Sequence, residues 1–302
     1  MIDLPPTPSA ALSGDAPRET TPGLSVVIPV LDAATTIGQQ LTAVLAQRDG
    51  LALEIVVVDN GSTDGTVDVV RRMQERSPEV VLIDGSDLPR GGAAAKNAGV
   101  RAATHRMIAF CDADDLVRDG WLAAMRAALA AHAVVTCDRE YSTLNPHLRR
   151  LYRPPNDRRA VYDVFGVPGV SGGAFGMDRD LYLELGGFDE GFRGAVDSEF
   201  SVRLAKAGLS PVHESTAVVS VRLTTSSRDA FRRARILLRS SFEIARRHDL
   251  HATLTPASVA GSIIRLARPI RVWQTDARFV WMTNAGKSVG RLEAFARRRK
   301  RT

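Results

Sequence analysis

Three carboxylates within four residues, Asp112, Asp114 and Asp115, follow an apolar run, Met107-Ile108-Ala109-Phe110. A strand that ends in such a cluster cannot carry it into a core, because burying unpaired ions costs too much. The charges must meet water, hard cations or cationic ligands at the strand's carboxyl end, where open α/β sheets hold their ligands. Alone, the pattern fits two readings: a solvated acidic turn capping the next helix, or a D-x-D site. Two more acidic positions bear on the choice. Asp32 and Asp59 each stand just past an apolar run of their own.

The elements that must position these residues are readable in order. Leu24 to Val30 is short, β-branched and continuous, the pattern of a strand buried on both faces. Thr35 or Thr36 can cap a helix whose stripe is Ile37, Leu41, Val44 and Leu45. A second buried strand, Leu53 to Val58, ends in Asp59-Asn60-Gly61-Ser62-Thr63-Asp64-Gly65. A helix from Thr66 to Arg76, a strand from Val80 to Ile83, a helix from Ala93 to Ala103 and a fourth strand, Met107 to Cys111, complete the run. Alternating strands and helices with short connections predict a mostly parallel sheet covered on both faces. Strands one, two and four then end on one edge, and three separate loops deliver carboxylates to it. Solvation alone explains that poorly, so the acidic cluster is read as a site.

Beyond it the pattern predicts a helix over Gly120 to Ala131, a strand from Val134 to Cys137, and a loop-like stretch from Glu140 to Val170. Asp178 can cap a helix from Arg179 to Leu185 that stops at Gly186-Gly187. A helix from Ser198 to Ala207 and a strand from Val218 to Leu223 close the body. There is no internal repeat.

The 302 residues are 44% hydrophobic and 25% charged, an ordinary globular balance. No stretch nears 18 uninterrupted apolar residues, so no spanning helix is expected. Residues 1–23 carry five prolines and no apolar core, which predicts a flexible leader and not a secretory signal. Cys111 and Cys137 lie in strand-like runs, and buried free thiols in a reduced, cytoplasmic compartment are expected. The net charge of +6 hides an asymmetry: residues 226–302 hold 18 Lys/Arg against 5 Asp/Glu, and the first 225 hold 22 against 29. The chain is an acidic body with a basic tail.

Several of these motifs together resemble the glycosyltransferases of family 2, with the GT-A fold. Ser25 to Val30 is similar to the family's opening strand, and Val57-Val58-Asp59-Asn60-Gly61-Ser62-Thr63-Asp64-Gly65-Thr66 to its nucleotide-binding turn. Ala95-Lys96-Asn97-Ala98-Gly99 resembles the helix before the D-x-D strand, and Asp112-Ala113-Asp114-Asp115 the D-x-D motif. Gly186-Gly187-Phe188-Asp189-Glu190, followed by Asp197 and Arg203, resembles the acceptor-side signatures. The resemblance covers Leu24 to Leu223.

The resemblance implies a GT-A-like sheet flanked by helices, with a nucleotide-binding half (24–115), an acceptor half (116–225) and a basic helical extension (226–302). It also implies inverting, non-processive transfer of a sugar from a nucleotide-sugar, a UDP or other pyrimidine nucleotide, to the hydroxyl of a carbohydrate, lipid-linked or other acceptor. The setting would be cell-envelope, polysaccharide or glycolipid synthesis. Donor contacts would come from Pro29, Val30, Asp32, Asp59, Lys96, Asp112, Ala113, Asp114, Ser171 and Gly172. Asp59 would bind the base. Asp32 would line the base and ribose pocket, or cap the next helix. Lys96, where arginine is usual, would touch the diphosphate, or be a solvated helix lysine. Asp112 and Asp114 would hold ribose and Mg²⁺ or Mn²⁺, which neutralises the leaving diphosphate. Asp197 would be the general base, or a helix cap. Gly187, Phe188 and Asp189 would shape the acceptor side.

The sequence departs from the family pattern in three places. The common Glu-Asp pair reads Val196-Asp197. The histidine expected on the following strand is replaced by Val219-Ser220-Val221-Arg222, with His213 nearby as an ordinary histidine. The Q-x-x-R-W signature of processive synthases is absent. In the tail, basic and aromatic residues interleave over a helix from Ser226 to His248 and another from Thr255 to Leu266. That suits either an anionic membrane surface, at the inner face of the plasma membrane, or packing on the body. Nucleic acid is disfavoured because no recognised module accompanies the charge. A sugar nucleotidyltransferase would need a glycine-rich basic loop where Leu31-Asp32-Ala33-Ala34 stands. A dehydrogenase would need G-x-G-x-x-G there. A non-catalytic protein on the same fold would have no use for intact Asp59, Asp114 and Asp197.

Overall fold

The computed structural model describes residues 23–146, 162–224, 226–250 and 275–299. The expected leader up to residue 22, residues 147–161 of the loop-like stretch and the expected helix from Thr255 to Leu266 lie outside them.

Strands β1 (Leu24–Val30), β2 (Leu53–Asp59), β3 (Val80–Asp84) and β4 (Met107–Cys111) alternate with helices α1 (Ile37–Leu45), α2 (Thr66–Arg76) and α3 (Gly92–Ala102). They form one parallel block in the order β3-β2-β1-β4. Val30 lies opposite Asp59, and Asp59 opposite Asp84. Val27 lies opposite Phe110, so the same register carried onward sets Asp112 level with Pro29. Asp59 and the D-x-D turn therefore share a rim, two strand spacings or about 10 Å apart.

The second half contains the short β5 (Leu116–Val117), α4 (Trp121–Ala131) and β6 (Val134–Glu140), then the hairpin β7 (Tyr162–Val164) and β8 (Val167–Gly169). It ends with β9 (Ala174–Asp178), α5 (Arg179–Glu184), α6 (Val196–Lys206) and β10 (Val212–Ser220). The eight-stranded sheet continues β4-β9-β6-β10-β5. The expected parallel sheet is thus interrupted by β9, which runs antiparallel to both β4 and β6. That strand was not expected, and neither was the β7–β8 hairpin in the loop-like stretch. Inserting β9 has a consequence for chemistry. Cys111 faces Ala174, so the chain enters β9 at the rim and Ser171-Gly172-Gly173 lands beside Asp112.

Two buried clusters cover the two faces. Ile28, Val57, Ile37, Leu41 and Trp121 represent the face under α1 and α4. Val27, Val58, Phe110, Phe175, Tyr182, Phe188 and Phe200 represent the face under α3, α5 and α6. Cys111 and Cys137 are buried and free, and burial pushes the Cys137 thiol up to about 12.

Within the basic extension, the first helix packs on the body. Helix α7 (Ser227–Arg247) buries Ile244 in a third cluster with Phe192, Ala195 and Val202. Its partner α8 (Thr275–Arg299) approaches closely through small residues: a Cβ at Gly286 would lie 2.2 Å from the Phe231 carbonyl oxygen, and one at Gly290 2.6 Å from that of Arg235. No described helix is long and apolar enough to cross a membrane.

Candidate functional site

The rim between β1 and β2 is built by side chains that satisfy each other's loops. The Asp59 carboxylate is buried and accepts the N–H groups of Gly61 (3.2 Å) and Ser62 (3.2 Å), which folds the turn back on itself. Asn60 donates to the Gly85 carbonyl and accepts from Gly91 N–H at 2.8 Å. Asp32 has φ 50°, in the left-handed region that aspartate tolerates. Its N–H donates to Ser62 Oγ (2.9 Å) and its Oδ1 accepts Thr63 N–H (2.7 Å). Asp32 therefore clamps the β2 loop and does not cap α1. Thr36 occupies that cap position, but its hydroxyl donates to the Ala33 carbonyl. Asp64 accepts from the Thr66 side chain, which holds its pKa below the ordinary carboxylate value.

At the D-x-D turn, Lys96 is not a solvated helix lysine. Its side chain is 7% exposed, and Nζ lies 2.8 Å from Asp112 Oδ1 and donates to the Gly172 carbonyl at 2.6 Å. An ammonium taken out of water needs such partners. Gly173 lets that carboxylate lie close to the backbone: a Cβ there would sit 2.4 Å from Asp112 Oδ2 and would displace it. Gln40, buried in α1, donates to the Asp112 carbonyl and accepts from Val117 N–H, fixing both ends of the turn.

The three carboxylates of the cluster differ. Asp114 is exposed on the open side. Partial desolvation, then the neighbouring Asp112 charge, raise its pKa, while Arg233 and Arg222 act in the opposite direction. Asp115 is buried and accepts Arg222 N–H at 2.8 Å; burial, then Asp112, push it to about 8. Among the described residues no group of three or more His, Cys, Asp or Glu is arranged to hold a metal unaided. Hard oxygen donors at Asp112 and Asp114 suit Mg²⁺ or Mn²⁺, which bind through one or two carboxylates and complete their shell with phosphate and water oxygens.

Asp197 stands one residue inside α6, whose N-cap is Ala195, so it is not the cap. Its Oδ2 accepts Gly172 N–H (3.2 Å) and its Oδ1 accepts Ser198 N–H (2.9 Å). The Gly172 peptide thus touches both sides of the site, its carbonyl taken by Lys96 and its N–H by Asp197. Ser171 Oγ accepts from Arg139 at 3.1 Å. Glu199, two residues on, is buried and receives Arg203 Nε and Nη2, and that guanidinium also donates to the carbonyls of Leu185 and Gly187 at 2.5 and 2.6 Å. The buried acid of α6 beside Asp197 in sequence is thus Glu199, which binds Arg203, while position 196 is valine.

Several sequence expectations need correction. Phe188 does not present its ring to an acceptor: it is 1% exposed and packs on Phe110, Phe175, Tyr182 and Phe200. Gly187 is buried at φ 64°, its position closed by Asn97 Oδ1. Asp189 is held by Arg247 of α7. Val30 and Ala113 bury their side chains, so only their backbones face the rim, whereas Pro29 is half-buried. His213, at the start of β10 and hence at the opposite edge, lies 3.0 Å from Asp138. The residue that sequence reasoning missed most is Asn97. It donates to the Phe188 carbonyl (2.8 Å) and Glu190 (2.9 Å) and accepts from the Tyr182 hydroxyl (2.6 Å) and Phe188 N–H (2.9 Å). Its place next to Lys96 on α3 was the available signal.

Comparison with known proteins places this geometry. The model of "Glycosyl transferase family 2" matches residues 25–186. A validoxylamine A glucosyltransferase of Streptomyces hygroscopicus subsp. jinggangensis is 30% identical over 225 residues, 62% of this chain and 52% of that one. The succinoglycan biosynthesis protein ExoU of Rhizobium meliloti is 32% identical over 192 residues, 52% of this chain and 55% of its own. The chain spans about half the length of these relatives. Among solved structures, a mannosyltransferase from Pyrobaculum calidifontis in complex with GDP-Man and Mn²⁺ superposes with a TM-score of 0.63 at 23% identity, covering 92% of this chain and 88% of that one. At that identity the likeness shows the fold, a GT-A sheet.

Proposed function

The chain belongs to glycosyl transferase family 2, and from that membership we propose that it transfers a single sugar from a nucleoside-diphosphate sugar to an acceptor hydroxyl, with inversion. The observation that carries this reading is the Gly172 peptide, which joins Lys96 and Asp112 on one side to Asp197 on the other.

In this reading Asp197 takes the proton of the acceptor hydroxyl as that oxygen bonds to the anomeric carbon. The bond from that carbon to the diphosphate breaks on the opposite face, and one displacement inverts the centre. Asp114 with Asp112 would hold Mg²⁺ or Mn²⁺, which when bound would neutralise the leaving diphosphate. Lys96 holds Asp112 and the Gly172 carbonyl in place. Asp59 and Asp32 form the wall against which a pyrimidine base and ribose would lie. The GDP-Man and Mn²⁺ bound by the mannosyltransferase support the donor class and the metal, not the base.

Thermal shift with Mn²⁺ across UDP- and GDP-sugars tests the donor, since a bound ligand raises stability by mass action. The expected result is one or more stabilising donors, with slow hydrolysis that Asp114→Ala and Asp197→Asn abolish. Undiminished turnover by Asp114→Ala would remove the metal assignment. A second reading concerns the tail, where Arg228, Arg232 and Arg246 of α7 face water. Contact with an anionic membrane surface, in envelope or glycolipid synthesis, predicts sedimentation with phosphatidylserine vesicles that salt reverses. Equal sedimentation with neutral vesicles would exclude it.

A further inference from the structure

Asp197 follows a strained turn that the C-terminal extension helps to cover. Ala195, two residues before it, has φ 56° and ψ 30°. That left-handed backbone costs an alanine energy and persists where its surroundings fix it. The Ala195 side chain is buried in a cluster with Phe192, Val202 and Ile244, and Val196 and Leu250 pack against the same cluster. Ile244 belongs to α7, and Leu250 lies just beyond its end.

The end of α7 also grips the segments on either side of Asp197. Asp249, at φ 56°, turns the chain, and Leu250 N–H returns to the Ala245 carbonyl at 2.7 Å. Before that stop, Arg247 pairs with Asp189 at 2.5 Å and lies 4.5 Å over the Phe192 ring. His248 Nε2 lies 3.0 Å from Glu199 Oε1, and Lys206 Nζ at the end of α6 donates to the His248 carbonyl at 3.4 Å. A half-exposed ion pair such as Arg247–Asp189 adds little stability, so what it contributes is direction. These ties hold residues 189–199 from both ends. Within that frame, Asp197 accepts N–H groups from Gly172 (3.2 Å) and Ser198 (2.9 Å), and its carbonyl accepts Ser201 Oγ (2.6 Å), which in turn accepts Val170 N–H (3.0 Å). The carboxylate therefore stays against the Ser171-Gly172 turn as long as the first turn of α6 stays in place.

Resting on the reading of Asp197 as the base, we propose that Arg247 and His248 are positioning residues. By holding Asp189, Phe192 and Glu199 they set the first turn of α6, and through it the reach of the Asp197 carboxylate. Neither side chain touches the reacting atoms. A general base works within hydrogen-bond reach of the proton it takes. A misplacement of about 1 Å costs on the order of a hundredfold in rate. Asp32, Asp59 and Lys96 stand on other elements, so loosening the end of α7 should slow turnover and leave donor binding in place.

The test is release of nucleoside diphosphate by the full chain with Mn²⁺, a stabilising nucleotide-sugar as donor and water as acceptor. Wild type, Arg247→Ala, His248→Ala and His248→Gln are compared well below their melting temperatures. Ser241→Ala is the control, since that hydroxyl bonds the Leu237 carbonyl of its own helix. The expected result is a fall in kcat of about tenfold or more in both alanine variants, with donor KM within about twofold. The control should match wild type, and His248→Gln, which returns an N–H to Glu199, should recover most of the loss. Amide exchange of residues 195–201 in the donor-bound protein should quicken in the same two variants and not in the control. If His248→Ala misfolds, the half-exposed Arg247→Ala still decides. A wild-type kcat in the alanine variants overturns the positioning role even where melting temperature falls, and so does a loss carried by donor KM. If wild type binds a donor but releases no diphosphate, amide exchange decides, and equal exchange in all variants overturns the proposal. A wild type that no nucleotide-sugar stabilises, and that hydrolyses none, overturns the donor reading itself.

Discussion

The two sides of the rim are held by different means. On the donor side, the loops after β1 and β2 are tied by short bonds from backbone N–H groups to side chains: Asp32 N–H to Ser62 and Thr63 N–H to Asp32 at the exposed surface, and Gly61 and Ser62 N–H to the buried Asp59 carboxylate. The parallel ladder beneath does the rest. On the acceptor side, a few buried polar groups hold the fold: Asn97 to Phe188, and Glu199 to Arg203 and on to Gly187. The donor side can lose one tie and keep its shape. The acceptor side cannot, because each hub leaves unpaired groups away from water.

The largest test of that contrast is Glu199→Ala. It removes both oxygens that hold Arg203 and leaves the guanidinium without its partner, which costs about 3–5 kcal/mol for a buried pair. Ser62→Ala, which breaks one half-exposed bond across the donor loops, is expected to cost about 1 kcal/mol or less. Denaturant midpoints of the two variants decide it, and equal losses would dissolve the distinction. His248, whose Nε2 lies 3.0 Å from Glu199 Oε1, makes α7 part of the same hub, so Glu199→Ala should also expose α7 to proteolysis.

Asn97→Ala comes next. It orphans the Phe188 carbonyl, but the Tyr182 hydroxyl keeps its 3.1 Å bond from Phe188 N–H. The expected loss is therefore about 2–3 kcal/mol and not the full cost of four bonds. The double variant with Tyr182→Phe should lose more than the sum of the singles, because each now covers for the other. Strict additivity would show that Asn97 is not a hub.

The same contrast explains what the sequence made legible. Apolar runs ending in acids located β1, β2 and β4, and parallel pairing then had to bring Asp59 and the D-x-D turn to one edge. β9 escaped because Ala174-Phe175-Gly176-Met177 is short, carries an internal glycine and follows Gly172-Gly173, all of which read as loop. Without β9 nothing placed Gly172 between Lys96 and Asp197. Phe188 was misjudged for a related reason. A motif position says that a residue matters, but only the fold tells whether its ring faces an acceptor or the core. Lys96 shows the limit on charge: its burial depends on the turn before β9, 76 residues away along the chain.

The smallest expected effect lies where the two sides meet. Asp115 belongs to the donor-side turn, yet its Oδ1 accepts the N–H of Arg222 from the far side of the sheet. Burial, and then the Asp112 charge, raise its carboxyl from the ordinary 3.8 to about 8. A raised carboxyl favours folding in its neutral form. That contribution is complete below about pH 4, where the unfolded chain is protonated too, and is lost as pH rises through 8. Asp115→Asn keeps the acceptor for Arg222 and removes the titration. In chelator-treated protein, wild-type stability should therefore fall relative to the variant between pH 4 and 8, with the two matched at the acid end. Parallel profiles would mean that Asp115 is charged in the fold and that the turn tolerates three carboxylates without a cation. A gap that closes when Mn²⁺ is added would tie the same residue to the metal, because a bound cation lowers the cost of ionising every carboxylate beside it.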